Sequence, residues 1–275
     1  EKFGLNYQAV KNLKSDVIYC SITGFGSGVG AAMPGYDLLV QAMGGLMSVT
    51  GEKDGEPGAG PQKVGVALTD IMTGLYAAIG ILAALAEREQ SGLGQHVDLA
   101  LLDVTAATLA NQATNYLVGG MNPTRLGNAH PNVVPYQSFV CADGHLIVAV
   151  GNDAQFRRFV AELGLPELAD DPRFMTNRKR VEHREELIPP LQTKMLEQSK
   201  QEWIDRLEEV GVPAGPINSV AEVFDEPQLA ARQMRVTVPH PLNPALELVG
   251  SPIKLSRTPV DDRRPPPMLG EHTEQ

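Results

Sequence analysis

The sequence predicts an α/β protein with one large domain and a smaller α+β domain. Its 275 residues exceed the usual size of a single domain, so a second domain is expected. In the first part of the chain, strand-type and helix-type segments alternate, which is typical of layered α/β structure. Further along, two β-rich runs separated by Asp143-Gly144 are followed by helices, and this order predicts the smaller domain.

The elements of the large domain are assigned from hydrophobic patterning. The β-branched run 16–22 predicts a buried strand, and the alternation in 95–99 predicts a second one. Helical periodicity covers 36–47 and 101–118. The segment 69–89 is rich in Ala, Leu and Ile, so we expect a helix that is buried on most of its sides.

The smaller domain is expected from a hairpin and two helices. Strands over 136–140 and 145–150 flank the Asp-Gly turn. Helices are predicted over 153–163 and 199–210, and a capping box of Ser199 and Glu202 opens the second of them.

The predicted domain boundaries follow from these elements. The large domain takes residues 1–118, a linker takes 119–133, and the small domain takes 134–225. The C-terminal segment 226–275 contains three successive prolines, and we expect it to return to the large domain in extended form.

Composition argues against several classes of protein. Hydrophobic residues make up 43% and charged residues 20% of the chain, which is close to the average for folded globular proteins. A net charge of -10, without a cluster of Lys and Arg, argues against a nucleic-acid partner. The longest apolar stretch, 74–86, is shorter than the roughly 20 residues of a membrane span, so no membrane partner is expected. Cys20 and Cys141 lie far apart in sequence, which favours free thiols and a cytoplasmic location.

The glycine-rich loop after the first predicted strand has two interpretations. Gly26, Gly28 and Ala31 fit the G-x-G-x-x-A pattern of a dinucleotide site. Pro34-Gly35 then interrupts the chain before a helix can open, although a pyrophosphate needs a helix N-terminus at that point. A flexible or ligand-covering loop is therefore favoured, and no tightly bound cofactor is predicted. No pair of His or Cys residues has the spacing of metal ligands, so no metal site is predicted.

Asp70 stands at the start of the apolar segment 69–89. A carboxylate at this place is favoured by the helix dipole and by free backbone N–H groups. The residues alone leave two interpretations open, because the same carboxylate could serve catalysis or only stabilise the helix end. Asp37 could equally be an ordinary helix-start residue, and His130 an ordinary loop histidine.

Four segments resemble successive signatures of the class III coenzyme A transferases of the CaiB/BaiF type. They cover 18–26 (IYCSITGFG), 34–51 (PGYDLLVQAMGGLMSVTG), 65–74 (GVALTDIMTG) and 266–273 (PPMLGEHT). Segments 125–137 and 211–218 look most like the branch of this family that handles small dicarboxylates such as succinate and glutarate. The resemblance runs along the whole chain in order.

The resemblance implies a fold and a set of partners. The large domain is expected to be Rossmann-like, two protomers are expected to form an interlaced homodimer, and the N-terminal part of the family fold is expected to be absent from this chain. Coenzyme A and its acyl thioester are implied as substrates and not as resident cofactors.

The resemblance also implies roles for individual residues. Asp70 matches the family nucleophile, which carries coenzyme A as an aspartyl thioester. Tyr36 and Asp37 are expected to contact coenzyme A. Asn128 and His130 are expected to contact the substrate. Both the helix start at Asp70 and the loop 127–130 are candidates to supply N–H donors to an oxyanion.

Two alternatives stay open at this stage. An α-methylacyl-coenzyme A racemase or epimerase of the same superfamily would use a His and Asp pair, but Tyr36 occupies the place of that histidine, and a tyrosine with a pKa of about 10 is a poor base at neutral pH. A truncated chain could instead bind acyl-coenzyme A without turnover.

Overall fold

The computed structural model describes residues 3–261 and 264–273. The chain forms two compact units, Glu1–Gln137 with Pro172–Arg184, and Ser138–Asp171 with Glu185–Gln275. This division differs from the predicted domains at two places, since residues 172–184 group with the first unit and the C-terminal segment groups with the second. The return of the C-terminal segment to the large domain stays a prediction.

The first half of the chain is mostly helical, with one pair of strands. Its elements in chain order are α1 (Tyr7–Leu13), β1 (Tyr19–Thr23), α2 (Asp37–Met43), α3 (Leu46–Val49), α4 (Leu68–Ser91), β2 (His96–Ala100), α5 (Leu101–Thr108) and α6 (Ala110–Leu117).

The second half contains two antiparallel arrangements and several short helices. Its elements are β3 (Tyr136–Cys141), β4 (Gly144–Ala149), α7 (Asp153–Glu162), a 3-10 helix (Pro166–Ala169), α8 (Asn177–Glu182), α9 (Arg184–Met195), α10 (Lys200–Glu209), β5 (Ala214–Pro216), α11 (Val220–Asp225), α12 (Pro227–Ala231), β6 (Arg235–His240) and β7 (Asn243–Val249).

In the first unit, β1 and β2 pair in parallel with Tyr19 opposite His96 and Thr23 opposite Ala100. Parallel strands need a long connection, and α2 to α4 provide it. The two predicted strands and their alternation with helices are thereby confirmed. α4 and α5 pack on each other and on α2, and the interior of this unit includes Val40, Ala84 and Val104.

Two predicted helices are each divided by a local backbone requirement. The helix predicted over 36–47 is interrupted between α2 and α3, where Gly45 has a left-handed φ of 85°. At Gly44 a Cβ would come 2.6 Å from Cγ2 of Thr105, so this glycine permits close packing of α2 on α5. The helix predicted over 101–118 is divided at Ala110, which has a φ of 49°.

The expectation that the long apolar helix is buried on most sides is wrong within the described residues. α4 buries only Thr69, Thr73, Ala77 and Ala84. Its aliphatic stripe is more than half exposed, at 51% for Ile71, 54% for Leu75, 63% for Ile79 and 65% for Leu82. These four residues define the α4 stripe.

α4 is also long and apolar enough to cross a membrane by length and composition alone. The uninterrupted apolar stretch 74–86, taken from the sequence alone, is shorter than a membrane span. Core helices of soluble proteins meet the same criterion, so the prediction that the protein has no membrane partner stays a prediction.

In the second unit, the predicted hairpin is confirmed, because β3 and β4 are neighbours in a three-stranded sheet completed by antiparallel β5. The capping box before α10 is also confirmed, with the Ser199 side chain and Glu202 bonded reciprocally. Phe139 and Phe159 lie in the interior with ring centroids 6.4 Å apart. Cys20 and Cys141 are free thiols, as expected.

The antiparallel pair of β6 and β7 was not expected from the sequence. Arg235 lies opposite Val249, and His240 opposite Asn243, with an irregularity between Val238 and His240. Prolines at 239, 241 and 244 disfavour strands in a sequence reading, because proline removes a ladder donor. The prolines are tolerated here because β6 and β7 form a two-stranded sheet, in which both strands are edge strands.

Candidate active site

Asp70 lies in the first turn of α4 with its side chain exposed. The residue before it, Thr69, is only 3% exposed and shares a hydroxyl hydrogen bond of 3.1 Å with Thr105 on α5. Successive side chains on a helix point about 100° apart. Since Thr69 faces α5, the side chain of Asp70 points to a different side of α4, where it is exposed.

The first turn of α4 is capped by a side chain from α2. Oδ1 of Asp37 accepts a hydrogen bond of 2.9 Å from the backbone N–H of Thr69 and a longer one, 3.4 Å, from that of Asp70. The residue in the capping position itself, Ala67, has no side-chain acceptor and makes no cap. Asp37, which lies on α2, therefore caps α4, a role that a Ser or Asp next to the helix itself has at most helix starts.

Gln41 bonds both to the carboxylate of Asp37 and to the segment before α4. Its Nε2 donates to Oδ2 of Asp37 at 2.6 Å, and its Oε1 accepts from the N–H of Val64 at 3.0 Å. Gln41 is fully buried, at 0% exposure. Its side chain thus links α2 to the segment that leads into α4.

The backbone N–H groups at the start of α4 are bonded within the protein, and their role as oxyanion donors stays a prediction. Beyond the two N–H groups bound by Asp37, Leu68 donates to the carbonyl of Val66 at 2.8 Å and Ile71 donates to that of Ala67 at 3.1 Å. The N–H groups of residues 68–71 are all engaged. A substrate oxyanion would have to displace one of these bonds.

Tyr36 immediately precedes α2, and its side chain is 71% exposed. It makes no side-chain capping bond to its own helix. Its position beside Asp37 brings it to the same end of α2 that contacts Asp70. Its contact with coenzyme A stays a prediction.

Asn128 lines a cavity of about 260 Å³ formed by converging loops. The lining residues are Val49, Thr50, Gly51, Glu52, Gln62, Gly127 and Asn128. The N–H of Gly127 donates to the carbonyl of Gly51 at 3.1 Å, which holds two of these loops together. The role of Asn128 as a substrate contact stays a prediction.

Arg125 lies beside this cavity and was not singled out in the sequence. A Cβ added at Gly51 would lie 3.1 Å from Cδ of Arg125. The guanidinium of Arg125 forms an ion pair with Asp54. Only 14% of its side chain is exposed, and among the described residues its buried Nε has no hydrogen-bond acceptor. A guanidinium forms strong charge-assisted hydrogen bonds with carboxylates. The sequence did contain a signal for this residue, because Arg125 is an arginine within 125–137, a segment that resembles the dicarboxylate branch.

His130 has its Nδ1 engaged as a hydrogen-bond acceptor. Its Nδ1 accepts the N–H of Asn132 at 3.1 Å, so in the neutral ring the proton lies on Nε2. Partial burial lowers the pKa of His130, and the positive charge of Arg184 lowers that pKa further. The ring also packs on Tyr136 with centroids 5.3 Å apart.

The loop that carries His130 is fixed by three side chains on or next to α8. Asn177 Nδ2 donates to the carbonyl of Asn132 at 2.8 Å, and Arg180 Nε donates to that of Val134 at 2.7 Å. Arg184 donates to the carbonyl of His130 at 2.5 Å. The end of the predicted linker is thus bound within the first unit.

Within the described residues, no group of three or more His, Cys, Asp or Glu side chains is placed to hold a metal ion.

The backbone N–H groups of Gly127, Ala129 and His130 are all bonded within the protein, at 3.1, 3.0 and 2.9 Å. In the loop 127–130, donors to a substrate therefore have to come mainly from side chains.

Known proteins resemble this chain over its whole length. It is 49% identical over 275 residues to a succinate–glutarate CoA-transferase of Agrobacterium fabrum, covering 100% of this chain and 68% of the relative. It is 39% identical to a succinyl-CoA:glutarate CoA-transferase of Mus musculus, covering 99% of this chain and 62% of the relative. The mouse relative is thus matched over less than two thirds of its length.

Solved structures agree with this relationship. A CaiB/BaiF family protein from Brucella suis matches with a TM-score of 0.81 and 45% identity, covering 98% of this chain and 70% of that one. Rv3272 from Mycobacterium tuberculosis matches with a TM-score of 0.84 and 26% identity, covering 99% and 72%. The sequence profile of CoA-transferase family III matches residues 1–273. This chain belongs to CoA-transferase family III.

Proposed function

We propose that this protein transfers coenzyme A between an acyl-coenzyme A and a small dicarboxylic acid, with Asp70 as the nucleophile. The observation that carries the proposal is the exposed carboxylate of Asp70 on a helix turn fixed by Asp37. The substrates named for relatives, succinate with glutarate and succinyl-CoA with mesaconate, support the substrate class.

The reaction proceeds through covalent intermediates on Asp70. Its carboxylate oxygen bonds to the acyl carbon of the donor, the C–S bond breaks, and a mixed anhydride and coenzyme A thiolate result. The thiolate attacks the aspartyl carbonyl and releases the donor acid as its carboxylate. The acceptor carboxylate then attacks the aspartyl thioester, and the same two steps in reverse regenerate Asp70 and release the new thioester.

Each attack creates a tetrahedral oxyanion that needs hydrogen-bond donors. Since the N–H groups at the start of α4 are engaged, we assign this role to side chains of the loop 127–130. The Nε2–H of His130 is a neutral donor, and the side chain of Asn128 lines the neighbouring cavity. One well-placed donor contributes roughly 3 to 4 kcal/mol to transition-state stabilisation.

Recognition of the acceptor acid is assigned to Arg125. The second carboxylate of a dicarboxylic acid would replace the exposed Asp54 as the ion-pair partner of the Arg125 guanidinium. Tyr36 is placed near the coenzyme A moiety because it stands at the end of α2 that meets Asp70. Both carboxylate oxygens of Asp37 are already bonded within the protein. No tightly bound cofactor is required by these steps.

The assembly is proposed to be an interlaced homodimer in the cytoplasm. The α4 stripe leaves four aliphatic side chains more than half exposed, and covering them would remove apolar surface from water. Covering α4 would also exclude water from acyl intermediates that hydrolyse easily. Two free thiols are compatible with a reducing compartment. Light scattering of the purified protein at micromolar concentration should give twice the monomer mass.

One experiment tests the proposed reaction. The protein is incubated with succinyl-coenzyme A and each of a panel of mono- and dicarboxylic acids, and acyl-coenzyme A products are separated. Hydroxylamine is added in parallel to convert an aspartyl thioester into a hydroxamate that peptide mass spectrometry locates. We expect exchange with dicarboxylates and a hydroxamate at Asp70.

Two other outcomes would replace the proposal. Binding of acyl-coenzyme A without exchange would identify a chain that binds but does not turn over. Deuterium incorporation at the α carbon of a 2-methylacyl-coenzyme A in heavy water, without acid exchange, would identify a racemase.

A further inference from the structure

We infer that Asp37 and Gln41 form a clamp that positions the proposed nucleophile, and that Asp37 acts on the reaction through the backbone of Asp70. This inference rests on the proposed function of Asp70. It assigns to Asp37 a positioning role that differs from the coenzyme A contact expected from the sequence.

Geometry supports the clamp. Asp37 and Gln41 are four residues apart on α2, so both side chains reach the same side of the helix. Oδ1 of Asp37 binds the first turn of α4, and Oδ2 receives the Nε2–H of Gln41 at 2.6 Å. Both oxygens of Asp37 are therefore committed to protein donors.

The buried end of the clamp fixes the approach to α4. Oε1 of Gln41 accepts from Val64, and its Nε2 also lies 3.5 Å from the carbonyl of Val66. Gln41 is fully buried, where an unpaired amide is costly. Its position is thus strongly constrained, and through Asp37 it constrains the first turn of α4.

Loss of Asp37 would leave the N–H groups of Thr69 and Asp70 without a protein acceptor. Ala67, in the capping position, makes no side-chain cap of α4, so the first turn would fray. Asp70 stands on that turn. A displacement of about 1 Å at a reacting group can reduce the rate about 100-fold.

The clamp also has an electrostatic consequence. A helix N-terminus attracts anions, including phosphates and carboxylates of substrates. The carboxylate of Asp37 already occupies this place on α4. The partial positive charge of this turn is therefore met by a carboxylate of the protein itself.

The test uses three variants of the whole chain. Asp37→Ala removes the cap. Asp37→Asn keeps an oxygen that can accept from the N–H of Thr69. Its new NH2 group, however, faces the Nε2–H of Gln41, so two hydrogen-bond donors oppose each other. The double variant Asp37→Asn/Gln41→Glu restores a donor and acceptor pair, because Glu at 41 can accept both from the new amide and from the N–H of Val64.

We expect Asp37→Ala to lower kcat about 100-fold with less than a twofold change in KM for acyl-coenzyme A. Asp37→Asn should lie between this variant and the parent, and the double variant should recover at least tenfold over Asp37→Ala. Amide hydrogen exchange at Thr69 and Asp70 should accelerate in Asp37→Ala and return to slow exchange in the double variant. Ser199→Ala, which removes the cap of α10, is the matched control and should leave kcat unchanged.

Other results would overturn the inference. A raised KM with unchanged kcat in Asp37→Ala would show that Asp37 contacts coenzyme A directly. A double variant as slow as Asp37→Ala would show that the charge of Asp37, and not the hydrogen-bond geometry, matters. If hydroxylamine labels Asp70 in the parent and Asp37→Ala keeps full kcat, the clamp fails while the nucleophile stands. If the parent is labelled at another residue, the proposed function fails first.

Discussion

Gly80 on α4 lies so close to Val97 on β2 that a Cβ at position 80 would come 2.8 Å from Cγ1 of the valine. This contact lets the helix that carries Asp70 lie directly on the parallel strand pair. Gly74, two turns nearer the start of the same helix, has nothing within 4 Å of the place where a Cβ would stand.

We therefore expect opposite effects from the same substitution at these two positions. Gly80→Ala should lower the free energy of unfolding by about 1 to 3 kcal/mol, because overpacking displaces the helix or a stiff β-branched side chain. Gly74→Ala should raise that free energy by about 0.5 to 1 kcal/mol through helix propensity. Urea unfolding followed by circular dichroism measures both, and equal effects at the two sites would contradict the close packing of α4 on β2.

Asp70→Asn should abolish coenzyme A transfer, with a loss of roughly 10⁴-fold or more, because the amide is not a nucleophile for the thioester. The side chain is exposed, so the circular dichroism spectrum and unfolding midpoint should not change. Asp103→Asn, at an exposed aspartate in the first turn of α5, is the control and should retain full activity. Residual turnover in Asp70→Asn comparable with the parent would exclude Asp70 as the nucleophile.

Stability should depend on pH through His130. Burial and the charge of Arg184 hold the pKa of His130 below its ordinary value of about 6.5. The unfolded chain therefore binds more protons than the folded one between these two values, so the free energy of unfolding rises with pH in this window. It should fall as the pH is lowered through about 6.5 toward the folded-state pKa.

The measurement is a series of urea unfolding curves from pH 7.5 to 5. His130→Asn should reduce the slope of stability against pH. A nuclear magnetic resonance titration of His130 with a midpoint above 6.5 would contradict the expected direction.

Arg125→Gln should weaken use of dicarboxylic acceptors in particular. The expected result is a rise in KM for succinate or glutarate of about 10-fold or more, since a charge-assisted hydrogen bond contributes about 1.5 to 3 kcal/mol. A monocarboxylic acceptor of similar length serves as the internal control, and its KM should change little. Equal changes for both kinds of acid would point to a structural role through the ion pair with Asp54.

Local sequence determined much of the framework. The β-branched run before Gly24, the alternation at 95–99 and the Asp143-Gly144 turn are short-range signals, and strands formed at all three places. The capping box of Ser199 and Glu202 lies within one helical turn, so its geometry follows from spacing alone. The family signatures around Asp70 likewise lie within continuous segments.

Tertiary structure decided what depends on residues far apart in the chain. Asp37 and Thr69 are 32 positions apart, and no local pattern shows that the carboxylate of one caps the helix of the other. The burial of α4 was misjudged because composition reports hydrophobicity but not which surfaces meet, and the α4 stripe lies exposed in the described residues. The breaks at Gly45 and Ala110 are single residues with positive φ, which hydrophobic periodicity does not reveal. The sequence by itself therefore determined the elements and the family segment that contains Asp70, while only the folded chain showed that Asp37, bonded to Gln41, caps the start of the helix that carries Asp70.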